Sequence, residues 1–78
     1  MTPAEADQRI NLSRHTLIQY AKMTEAGVDP MPGTLLLVHE EIGALEVIAE
    51  EHPGQTPRLV VLVSEWVSFS DRIRAKLH

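Results

Sequence analysis

Cysteine is absent from the 78 residues, so neither a disulfide nor a thiolate zinc site can staple this chain. That absence fits a reducing compartment. No stretch reaches the roughly 20 consecutive apolar residues of a membrane span. The opening residues, Met1-Thr2-Pro3-Ala4-Glu5-Ala6-Asp7, are polar and acidic, the reverse of a secretion signal. A cytoplasmic protein without membrane association is the expectation. Excess positive charge is also lacking, since 7 Lys and Arg face 11 Asp and Glu for a net charge of -4. That balance argues against a sequence-independent grip on nucleic acid or anionic lipid.

Catalytic constellations are missing as well. His39-Glu40-Glu41-Ile42-Gly43 has the start of a zinc-protease helix but carries glycine where the second histidine belongs. A carboxylate-bridged di-metal bundle needs Glu-x-x-His pairs. Here the residues three after each glutamate are Gln8, Val28, Gly43, Ala44, Ala49, Pro53, Gly54 and Ser68. Ser64, Ser68 and Ser70 lie in no nucleophile elbow. The glycines never cluster as a phosphate loop requires. Glu40-Glu41 and Glu50-Glu51 are adjacent in sequence and therefore diverge on a helix. His15, His39, His52 and His78 read as surface residues. Neither an enzyme nor a metal or cofactor site is expected.

A chain this short has room for one domain. Such a domain buries only about 60% of the surface its unfolded chain exposes. With disulfides and thiolate metals excluded, oligomerisation becomes the leading source of added stability.

Two breaks divide the chain. The first, Ala26-Gly27-Val28-Asp29-Pro30-Met31-Pro32-Gly33, combines two prolines with two glycines. The second, His52-Pro53-Gly54-Gln55-Thr56-Pro57, holds a Pro-Gly turn signal. Helices are expected at about residues 3–26, 34–51 and 57–77.

The first segment opens on Thr2-Pro3-Ala4-Glu5, which has the elements of a capping box with proline at the first helical position. Ala6, Ile10, Ser13, Leu17, Ala21 and Thr24 recur at three-to-four spacing, with Ile18 and Tyr20 beside them. Gly27 supplies the stop. Asn11-Leu12-Ser13 is a weak point, because asparagine and serine compete for backbone hydrogen bonds. One long helix is favoured over two.

In the second segment Thr34 is the expected cap. Leu35, Val38, Ile42, Leu45 and Ala49 follow at heptad spacing. Leu36, Gly43 and Val47 occupy a neighbouring face. Gly43 costs about 1 kcal/mol of helix stability against alanine, which suggests a close approach by another backbone. Glu50 and Glu51 sit in the last turn, where the helix dipole disfavours negative charge. Arg58 is the nearest base in sequence.

The third segment has Thr56-Pro57 as its cap. The run Leu59-Val60-Val61-Leu62-Val63 has strand propensity, yet its apolar period continues as helix through Leu77. Leu59, Leu62, Trp66, Phe69 and Ile73 form one stripe, which makes Trp66 a core or interface anchor. Arg72, Arg74 and Lys76 lie where the dipole favours cations. Short connections make neighbouring helices antiparallel. The expected fold is therefore all-α, an antiparallel three-helix bundle assembling as a homodimer.

Val60 and Val67 mark a second apolar strip that a lone three-helix core does not need. Together with Leu36, Gly43 and Val47 they form the expected dimer or protein interface. Glu50, Glu51, Arg72 and Arg74 are its candidate charged rim. The expected function is binding, with a second copy as the first partner and a further protein as target. In size and style the chain is similar to small helical accessory proteins of phage and mobile elements, which act as adaptors, inhibitors or regulators. No motif ties it to one family. The alternative is a small DNA-binding regulator that reads through Ser13–Lys22, whose Arg14, Gln19 and Lys22 suit base edges or phosphates. Against it stand the acidic net charge and the lack of a preceding glycine-containing turn. Mimicry of DNA by the Glu40–Glu51 stretch fails because the charge is too small.

Overall fold

The computed structural model describes residues 1–77, so the expectation for His78 lies outside the described residues. Three α-helices are present and, among the described residues, no strand: α1 Pro3–Glu25, α2 Gly33–Glu51 and α3 Thr56–Lys76. A single 3-10 turn, Pro53–Gln55, joins α2 to α3. No described helix is long and apolar enough to cross a membrane.

The start of α1 is built as its sequence dictates. The Glu5 amide donates to Thr2 Oγ1 at 3.1 Å, and the Thr2 amide donates back to Glu5 Oε1 at 3.1 Å. These two bonds satisfy donors that a helix start leaves unpaired. Thr2 also holds the exposed Glu5 carboxyl below its ordinary pKa, chiefly through its backbone amide and then its hydroxyl. The helix runs unbroken through Asn11-Leu12-Ser13. It ends on Gly27 at φ 85°, with Val28 N–H donating to Met23 O at 3.0 Å and Gly27 N–H to Thr24 O at 3.1 Å. That pair of bonds is a Schellman closure, for which glycine is suited because it enters the left-handed region without strain.

The other two starts differ from expectation. Thr34 does not cap α2; it lies inside the helix, buried, and its amide donates to Met31 O at 2.9 Å. Pro32 already holds helical backbone at φ -54°, so the helix begins a residue early, where a missing proline N–H costs nothing. Thr56 does not cap α3 either. The 3-10 turn feeds straight into the helix, with Gln55 at the boundary.

Contacts at the helix ends fix the topology. The Gln55 amide and Arg58 guanidinium at the start of α3 bond Asp7 near the start of α1, at 2.9 and 2.8 Å. At the far end Lys76 Nζ donates to Thr24 O at 3.3 Å. Consequently α1 and α3 run parallel, and α2 runs antiparallel to both. The bundle measures 39 × 19 × 18 Å. A 23-residue helix is about 34 Å long, so each helix spans most of that length.

Eleven apolar residues form the core: Ala6, Ile10, Leu17, Val38, Leu45, Ile48, Leu59, Leu62, Trp66, Phe69 and Ile73. The α3 stripe is buried in full. On α2 the buried line is Thr34, Val38, Glu41, Leu45 and Ile48; Val38 and Leu45 hold their expected places, while Thr34, Glu41 and Ile48 replace the neighbouring Leu35, Ile42 and Ala49. Leu35, Ile42 and Ala49 pack on its edge. The reason is Glu41, whose carboxylate turns inward against Arg9 of α1 and so rotates the buried arc toward α1. Trp66 is fully enclosed, edge-on to Phe69 at 6.1 Å, while Tyr20 meets Phe69 from the other side at 6.4 Å.

Candidate interaction surfaces

Every side chain expected at the interface is on the surface. Leu36, Val47, Val60 and Val67 are 63, 50, 62 and 46% exposed. Leu36 and Val47 fall about 170° around α2 from the Val38–Leu45 line, on the back of the helix. Gly43 lies between them, and a Cβ built on it meets nothing within 4 Å. Val60 and Val67 lie on one flank of α3 with Arg74. The opposite flank, holding Val61, Glu65 and Arg72, turns toward α1. Val60 and Val67 therefore border α2, while Leu36 and Val47 are exposed on the back of α2, with Gly43, Glu46 and Glu50 on the side of α2 between them and α3.

The expected rim residues separate by position. Glu50 falls on the α3 side of α2 with Gly43 and Glu46, whereas Glu51 falls toward the α1 side. Arg74 lies with Val60 and Val67, loosely paired to Asp71 at 3.8 Å. Arg72 sits across Phe69, its guanidinium 5.7 Å from the ring centre, a cation–π contact on the α1 side. Arg58 does not relieve Glu50 and Glu51. It bonds Asp7, Gln55 and Asn11, and no ion pair among the described residues involves Glu50 or Glu51.

The charges are sorted along the bundle. Because α2 and α3 are antiparallel, the acidic end of α2 (Glu46, Glu50) lies beside the start of α3. Arg74, near the end of α3, lies beside the start of α2, whereas Lys76 turns to α1 and donates to Thr24 O. One face thus carries acid at one end, base at the other and aliphatic side chains between.

Two clefts open between α1 and α3, of about 350 and 300 Å³. Ile10 and Leu62 line the first and Leu17 the second, and Glu65 borders both. A third space, about 330 Å³, lies under the α1–α2 connection among Tyr20, Met23, Val28, Met31 and Phe69.

Residues expected to read DNA are distributed differently. Ser13 is buried and accepts a hydrogen bond from Trp66 Nε1 at 2.9 Å. Leu17 is also buried. Continuous helix precedes both, so the turn such a reader needs is not formed at Asn11–Ser13. Arg14, Gln19 and Lys22 are exposed and spread over about 140° of the helix. Of the histidines, His15 and His39 are exposed, and His52 Nε2 lies 3.0 Å from Met1 O.

The sequence carries no local signal for the Arg9–Glu41 pair. Glu41 reads there as one of five α2 glutamates, and its partner lies 32 residues away. Both guanidinium nitrogens reach the carboxylate, whose side chain is only 8% exposed. The only hint available was that Thr34, Val38, Glu41, Leu45 and Ile48 also keep heptad spacing. Comparison with models of known protein families, with curated proteins and with solved structures finds no match for this chain.

Proposed function

We propose that this protein is a non-enzymatic interaction module whose α2–α3 face joins two copies into a twofold dimer, the dimer then serving as a scaffold or regulator for another protein. The observation that carries the reading is the face itself. Leu36, Val60 and Val67 are all close to half exposed or more, and an apolar surface of this kind on so small a bundle favours burial against a partner. Its ends are oppositely charged. A twofold axis perpendicular to the helices, passing near Gly43, swaps those ends, so that Glu46 and Glu50 of each copy meet Arg74 of the other. Such a contact is isologous and closes on itself. Gly43, with open space above its α-carbon, lets the two α2 backbones approach at the centre.

The ends of the face supply the test. Reversing one charge, Glu50→Arg or Arg74→Glu, sets like charges against each other and weakens association. Reversing both in one chain restores the complementarity and the dimer. Light scattering on a sizing column reads the result. Equal behaviour of single and double variants contradicts this arrangement.

A further inference from the structure

Outside the α2–α3 face, the groove between α1 and α3 is bordered by more basic than acidic side chains. All seven basic residues of the chain lie in α1 and α3, and none in α2. Along the groove, Arg14, Arg58 and Arg72 border the opening; Arg58 is held by Asp7, and Glu65 is the acid between them. Arg14 and Arg72 enter no ion pair among the described residues. The floor is apolar, from Ile10 and Leu62 at one end to Leu17 at the other. Val61 and Ile18 stand half-open on its edges, 59 and 42% exposed.

We infer that this groove is a docking site for an acidic amphipathic helix of a partner protein. Its two clefts share Glu65 and continue one another along α3 from Pro57 to Arg72. On α1 they run from Ile10 to Ala21, about 17 Å at helical rise, which matches three turns of a guest helix. Ser64, Ser68 and Ala21 line the second cleft, and such small side chains let another helix approach to ordinary packing distance. A helix seated there turns three helices into a four-helix bundle. Its aliphatic stripe covers Leu17, Leu62 and Val61, while its acidic flanks meet Arg14 and Arg72. A nucleic-acid backbone would pair with the same arginines but leaves the aliphatic floor without a partner. The site is on the far side of α3 from the proposed dimer contact, so each copy in a dimer would keep its groove open.

The test uses fluorescence anisotropy with two labelled synthetic helices. Each has leucine at positions i, i+4, i+7 and i+11; one carries glutamate on its flanks and the other lysine. The full chain is expected to bind the glutamate helix and not the lysine helix, with binding that weakens as salt rises. Arg14→Glu combined with Arg72→Glu should weaken binding by about tenfold or more. Ser68→Trp, which fills the groove from an exposed position, should block it, with circular dichroism showing each variant helical. Val67→Glu, on the other flank of α3, should leave it unchanged, so this result stands apart from the state of the dimer. Binding of neither helix, equal binding of both, or preference for a labelled DNA duplex overturns the assignment.

Discussion

Trp66 Nε1 donates to Ser13 Oγ at 2.9 Å, and both residues are fully buried. The bond joins the middle of α1 to the middle of α3 across 53 positions of sequence. It explains how a serine is tolerated in a helix interior among apolar neighbours. A buried indole N–H needs an acceptor, and the serine at this point of the α1 stripe supplies one.

Ser13→Ala removes that acceptor and leaves the indole donor unpaired. The expected cost is about 1–3 kcal/mol, read by chemical denaturation. Trp66→Phe removes the donor, and the double variant should lose less than the two single losses combined. Strict additivity would show that the bond contributes nothing to the fold.

The ion pair of Arg9 with Glu41 makes a second prediction. Arg9→Ala strands a carboxylate whose side chain is 8% exposed, at a cost of roughly 3 kcal/mol. Arg9→Met together with Glu41→Leu should be more stable than either single change, because no buried charge is left alone. A neutral Arg9→Ala variant would mean that the carboxylate finds water instead.

Acid should loosen the start of α1. The Glu5 carboxyl is held below its ordinary pKa by the Thr2 amide and hydroxyl. A depressed folded-state value adds stability above the unfolded pKa, and that stability disappears as pH falls through the folded value. An NMR titration of Glu5 should therefore give a midpoint below that of a free glutamate. Thr2→Ala, which removes the hydroxyl but keeps the backbone amide, should raise it part of the way. An ordinary midpoint in the wild type would rule out the capping box in solution.

What the sequence revealed depended on whether a residue's role was set by its own helix. The α3 stripe from Leu59 to Ile73 was legible because each buried member is apolar and the period is unbroken. The Thr2–Glu5 box and the Gly27 stop were legible because both are local chemistry. On α2, Val38 and Leu45 were legible as core, but Glu41 in place of Ile42 was not, because Glu41 is charged and only Arg9, distant in sequence, makes its burial tolerable. Thr34 and Thr56 looked like caps, yet the neighbouring Pro32 and the Pro53–Gln55 turn start the helices without them. Exposure of Leu36, Val47, Val60 and Val67 followed from periodicity. The division of Arg72 from Arg74 did not, because it depends on which flank of α3 faces α1.

Gly43 separates folding from association. Gly43→Ala should stabilise the isolated bundle by about 1 kcal/mol through helix propensity, since the added methyl meets open space within one chain. The same methyl at the centre of a dimer should weaken pairing. Denaturation at low concentration and association measured at high concentration should then move in opposite directions. Unchanged association would place Gly43 outside the contact.

Sedimentation equilibrium of the wild-type protein at micromolar concentration tests the central claim most directly. The chain mass is 8.7 kDa. A species of twice that mass is expected, which Val67→Glu converts to a folded species of single mass. A wild type that sediments at 8.7 kDa across the concentration range contradicts the dimer.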